Sequence, residues 1–153
     1  MNPVFDQRVA RLPGYLAQLI AQVPHTRLTL GQDLPAAGVY AFYEHGRAQY
    51  VGRTGRLRQR LLEHSGNSSS HYSASFAFLL VREAAQGLAI DMARLRHALQ
   101  RCPLFGPLFT VAKARVAGME IRWIAVPDDV EQALFEVYAA LALNTPHNHF
   151  KPS

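Results

Sequence analysis

The stretch GVYAFY-EHGR-AQYV, residues 38–51, limits most strongly what this chain can fold into. GVYAFY (38–43) and AQYV (48–51) are rich in the aromatic and β-branched residues that suit a pleated, half-buried surface. Glu44-His45-Gly46-Arg47 between them reads as a turn, with Gly46 expected at positive φ. The two runs are expected to pair as a β-hairpin, and the rest of the fold has to be built around that pair.

The flanking segments give an α+β order. Upstream, Val4, Phe5, Val9, Leu12, Leu16, Leu19, Ile20 and Val23 follow helical spacing, which Pro13 is expected to break into two short helices or a kink. Downstream, Gly52 to Gly55 punctuates the chain, RLRQRLLEH (56–64) reads as a helix and SGNSSS (65–70) as a polar loop. SFAFLLV reads equally as a strand or a buried helix. IDMARLRHALQR (90–101) predicts an amphipathic helix, and PLFGPLF (103–109) an irregular apolar connection. MEIRWIAV (119–126) alternates as a strand does. Pro127-Asp128-Asp129 then opens a helix whose first-turn acids complement its dipole, and Asn144-Thr145-Pro146 closes it. The expected architecture is a small, largely antiparallel sheet covered by helices, in one domain of 153 residues.

Charge narrows the choice of partner. The formal net charge is +5, and fourteen of the sixteen basic residues are Arg, leaving only Lys113 and Lys151. Arginine's planar fork matches phosphate, so a nucleic acid is the expected partner class. Five arginines, Arg47, Arg53, Arg56, Arg58 and Arg60, fall within fourteen residues that contain no acid. Cys102 is the only cysteine, which excludes an internal disulfide. No run approaches eighteen apolar residues and MNPVFDQRVARL lacks the pattern of a signal peptide, so no membrane span and a cytoplasmic location are expected.

Three features stand out chemically. In ALFEVYAALAL (133–143) Glu136 is the only charge among ten apolar or aromatic residues. A carboxylate there needs an Arg, a hydrogen-bond network or a metal ion, unless it lies on a narrow exposed stripe with Glu131 close by. Arg56, Arg60 and His64 succeed each other at four-residue intervals on one helical face, beside a core-facing stripe of Leu57 and Leu61. Tyr40 and Tyr50 lie in the two hairpin strands and are expected near each other at one end of the sheet. Each feature alone reads as ordinary packing or a solvated basic face.

Together they resemble the GIY-YIG nuclease family. Gly38-Val39-Tyr40 stands as the first tripeptide and Tyr50-Val51-Gly52 as the second. Arg60 lies ten residues past Tyr50, where the family has its essential Arg, and His64 follows four later. Glu131-Gln132-Ala133-Leu134-Phe135-Glu136 is similar to the segment that ends in the family's metal-binding Glu. Asn148 comes twelve residues after it, in Pro146-His147-Asn148. The resemblance covers residues 37–66 and 119–150. It leaves 1–36 as an N-terminal helical extension and 67–118 as a long insert between the first core helix and the third strand, with no separate DNA-recognition domain.

The resemblance implies a three-stranded antiparallel sheet flanked by helices and a metal-dependent endonuclease acting on DNA. It implies that Glu136 holds one Mg²⁺ (or Mn²⁺), that Arg60 grips a phosphate oxygen, and that Tyr40, or else Tyr50, activates water. His64 would take or relay the proton and Asn148 would orient groups around the metal. Arg53, Arg56 and Arg58, with His71 a weaker candidate, are expected to bind substrate phosphates. A non-cleaving nucleic-acid binder of the same fold is the alternative, as is a nuclease toxin neutralised by a partner protein. Cutting both strands would call for a homodimer, since one site cuts one strand at a time.

Overall fold

The computed structural model describes residues 1–70, 73–85, 103–150 and 152. It is an α+β fold with one three-stranded antiparallel sheet and, among the described residues, five α-helices. The elements are α1 (Pro3–Ala21), β1 (Gly38–Glu44), β2 (Arg47–Thr54), α2 (Leu57–Glu63), α3 (Ser75–Ala84), α4 (Phe105–Ala117), β3 (Glu120–Ala125) and α5 (Asp129–Ala142). The chain divides into two compact units, Met1–Gln59 with Met119–Ser153, and Arg60–Gly118. Among the described residues, no helix is long and apolar enough to cross a membrane.

The first unit contains the sheet, in the order β2-β1-β3. The hairpin turn carries His45 and Gly46 at φ 52° and 76°, the paired positive values that match the twist of a tight hairpin. Side chains alternate across a strand and direct cross-strand partners share a face. Val39, Ala41, Val51 and Ile124 therefore point one way, into a core with Leu12 and Leu19 of α1 and Phe135 and Ala139 of α5. Full burial of side chains such as Leu19, Val39 and Phe135 contributes about 1.5–3 kcal/mol each. Tyr40, Phe42, Tyr50, Gly52, Ile121 and Trp123 take the opposite face.

Two glycines allow these approaches. A Cβ at Gly38 would lie 2.2 Å from the Ile124 carbonyl oxygen, so only glycine lets β3 pair closely with the start of β1. A Cβ at Gly52 would lie 2.3 Å from the Tyr40 hydroxyl oxygen, because the Tyr40 ring lies across its cross-strand partner.

Both sheet edges are covered. Along β3, His25 forms an antiparallel bridge with Ile121, and the Gln22 side chain accepts from the Trp123 N–H. Along β2, the cover is the segment after α5. Asn144, in the left-handed region at φ 52°, ends that helix, and the Thr145 N–H donates to the Ala140 carbonyl at 3.1 Å. The chain then turns back along β2.

Three segments correct the expectations. α1 runs unbroken through Pro13, which lies on the exposed side of the helix, so the carbonyl freed of its partner can face water. SFAFLLV lies in α3. PLFGPLF is no irregular connection: from Phe105 it forms the start of α4, and Pro107 sits in the first turn, where backbone N–H groups have no intrahelical acceptor. The expected helix at 90–101 and His71 lie outside the described residues.

In the second unit, Phe78 of α3 meets Phe105 of α4 edge-to-face at 5.9 Å, and Phe105 stacks on Phe109 at 5.4 Å. Lys113 is buried. Its ammonium donates to the Asn67 and Ser69 carbonyls at 2.8 and 3.2 Å and sits 4.7 Å from the Phe109 ring centroid, which fixes the polar loop.

Candidate functional site

Four residues of β2, Tyr50-Val51-Gly52-Arg53, collect the motif residues of the first unit. Tyr40 reaches them from β1, with its ring over Gly52. Tyr50 pairs with Phe42, which makes Tyr40 and Tyr50 diagonal neighbours on one face of the sheet. They differ in exposure: Tyr40 is buried, while Tyr50 is only partly covered.

Asn148 reaches the same stretch from the C-terminal segment. Its side-chain oxygen accepts from the Val51 N–H at 2.8 Å, and its amide nitrogen donates to the Val51 carbonyl at 2.8 Å. The amide thus completes the edge strand as a neighbouring peptide would. The Thr145 hydroxyl donates to the same Asn148 oxygen at 2.8 Å, and the His147 N–H donates to the Gln49 carbonyl at 3.2 Å. The geometry gives Asn148 a fastening role.

Glu136 reaches Arg53 from α5. The Arg53 Nε donates to Glu136 Oε2 at 3.0 Å, and the Glu136 side chain is 23% exposed. Of the partners its apolar setting called for, an arginine is therefore present. Burial pushes the Glu136 carboxyl above the usual carboxylate range, and the Arg53 guanidinium pulls it part of the way back. Two of the five clustered arginines have a carboxylate partner outside their acid-free stretch, one of them distant in sequence and the other three residues on in α2. Arg53 has Glu136, and Arg60 has Glu63 at 3.4 Å.

Five residues before Glu136 on the same helix, Glu131 is 4% exposed. Arg11 and Tyr15 of α1 both donate to it, and Arg8 pairs with Asp128, the N-cap of α5. Glu131 is thus a buried anchor between α1 and α5 rather than part of an exposed stripe. The bond from Tyr15 raises the phenol's own pKa.

Arg60 and His64 belong to the second unit and are anchored there. The Arg60 guanidinium donates to the Ser73 carbonyl at 2.8 Å and to the Ser75 hydroxyl at 2.7 Å, at the start of α3. His64 is fully buried. Burial, reinforced by the Arg60 charge, holds its imidazole down to about 3, so it is neutral at physiological pH. Of the other arginines, Arg58 donates through Nε to the Gly31 carbonyl at 3.2 Å, and Arg56 is exposed.

The chemistry of the donor set limits which cation fits. Among the described residues, no three or more His, Cys, Asp or Glu side chains gather into a metal-binding group. Glu136 offers one hard carboxylate. That suits a Mg²⁺-type ion that keeps most of its water and takes further oxygens from a phosphate, and it does not suit a preformed cage. In comparisons with known proteins, no protein-family model, curated protein or solved structure matches this chain.

Proposed function

We propose that this chain is a divalent-cation-dependent endonuclease of the GIY-YIG type that hydrolyses phosphodiester bonds in DNA. The observation that carries this reading is the convergence on Tyr50–Arg53. Tyr40, Glu136 and Asn148 each contact a different residue of that stretch: Tyr40 lies over Gly52 on one face of the sheet, Glu136 pairs with Arg53, which alternation places on the other face, and Asn148 clasps Val51 at the edge.

In this reading Glu136 holds the cation, which when bound supplies Lewis-acid stabilisation of the phosphate and the leaving oxygen. The chain's own residues do the rest. Tyr50, the more accessible of the two tyrosines, accepts the proton of the attacking water, while Tyr40 braces it on the same face. A phenol has an ordinary pKa of about 10, so nearby positive charge has to assist its ionisation. Arg53 binds phosphate through its fork. Asn148 holds the β2 edge in register.

The test is supercoiled plasmid incubated with the protein in Mg²⁺ or in EDTA, followed by mapping of the ends. Nicked or linear DNA in Mg²⁺ alone, lost in Glu136→Ala, is expected. DNA binding without cleavage in Mg²⁺ or Mn²⁺ would instead establish the non-cleaving binder. That second reading is favoured by one observation: Asn148 and Arg60 both direct their polar groups into the protein.

A further inference from the structure

The Arg53–Glu136 pair has an asymmetry that bears on how a cation gains access to the carboxylate. Only Nε of Arg53 is engaged, and Glu136 accepts it through Oε2 alone. Among the described residues, Glu136 is the one partner of the Arg53 guanidinium, so no hydrogen bond to a described residue holds the terminal nitrogens, which form arginine's bidentate fork. The Arg53 side chain is 46% exposed and stands near the end of the edge strand, on a flexible stem, whereas Glu136 is 23% exposed on a packed helix. The carboxylate is thus fixed and its counter-ion is movable.

We propose that Arg53 is a positioning residue that occupies Glu136 in place of the cation and leaves it when its fork takes a substrate phosphate. This rests on the reading of Glu136 as the cation ligand. A guanidinium bonded to a carboxylate repels an incoming divalent ion at close range, in a setting where α5 limits screening by water. Without substrate, Arg53 and the cation compete for one carboxylate. A phosphate bridging the fork moves the guanidinium off Glu136 and brings its own oxygens to the cation. Cation and substrate then bind with positive coupling, and the free protein holds the ion weakly.

The experiment is Mn²⁺ binding to DNA-free protein at one fixed pH near 8, followed by electron paramagnetic resonance, for wild type, Arg53→Gln, Arg53→Lys and Glu136→Gln. Arg53→Gln is expected to bind Mn²⁺ about three- to tenfold more tightly than wild type, since the competing charge is gone. Arg53→Lys should stay within about twofold of wild type, because it keeps the charge. In ¹⁵N spectra, the wild-type Arg53 Nε–H signal should exchange faster with solvent as Mg²⁺ is added. Unchanged or weaker Mn²⁺ binding in folded Arg53→Gln would overturn the proposal, as would an Arg53 signal indifferent to Mg²⁺. Loss of Mn²⁺ binding in Glu136→Gln separates the two levels. If Glu136→Gln binds as well as wild type, the cation assignment itself fails, whatever Arg53 does.

Discussion

Glu131 and Glu136 lie five residues apart on α5, and each meets an arginine. Their surroundings still set them to different tasks. Glu131 is covered on all sides and takes donors from two side chains of α1, so its charge is neutralised and its lone pairs are used within the fold. Glu136 is half-covered and accepts one bond from one movable side chain, and its carboxyl lies above the usual range because burial outweighs Arg53. A carboxylate that the fold satisfies fully is structural. One that the fold leaves partly unsatisfied is available to a ligand, and keeping it ionised has a stability cost. The comparison teaches that burial alone does not distinguish them; the count and mobility of the donors does.

The sharpest way to break the comparison is Glu136→Gln. Cleavage is expected to fall by about a thousandfold or more, equivalent to about 4 kcal/mol in the barrier, measured as the nicking rate in Mg²⁺. Its stability should move the other way. A carboxyl whose folded pKa is raised binds its proton more readily when folded, so the ionised form opposes folding above that pKa. At pH 7 the variant should unfold within about 1 kcal/mol of wild type, on the stabilising side, in urea titration.

Next in size is a pH effect of opposite sign, set by His64. Its folded pKa of about 3 lies below the ordinary 6.5, so between those values the unfolded chain binds the extra proton. Stability is complete above about pH 6.5 and is lost on acidification, by about 3 kcal/mol at pH 4. His64→Gln should flatten that slope in urea titrations across the range. Glu131→Gln comes third: about 2–3 kcal/mol of stability lost, with cleavage by the folded fraction preserved. A variant that kept its stability and lost its activity would reverse the roles of the two glutamates. The smallest change is expected for Asn148→Ala, about 1–2 kcal/mol from the two lost bonds to Val51, read as a lower unfolding midpoint with faster amide exchange along β2.

Local signals explain which parts of this were legible in the sequence. The hairpin, β3 and the start of α5 were readable because each is announced within a few residues, by alternation, a turn or a capping acid. Pro13 and Pro107 misled because a proline's effect depends on where in a helix it falls and which side faces water. The candidate site could be named from the sequence as a set of residues and not as a set of contacts. Arg53 looked like one cation of an unpaired cluster, yet its partner lies 83 residues away. Lys113 gave no local sign that it would be buried against carbonyls 44 and 46 residues distant. Such pairings arise only when the chain returns on itself.

The covering of the sheet edges also has a consequence for how this protein reaches its native state. The β1–β2 hairpin closes over a two-residue turn, an event of roughly 1–10 μs. The clasps on the outer edges join residues 97 positions apart at Asn148–Val51 and 101 apart at Gln22–Trp123, and loop-closure entropy delays contacts of that span. A hairpin that forms ahead of those clasps leaves the outer backbone groups of β2 facing solvent in the interval before they close. In that interval a neighbouring chain competes with Asn148 for Val51. Yield on refolding should then depend on protein concentration and on an intact C-terminal segment.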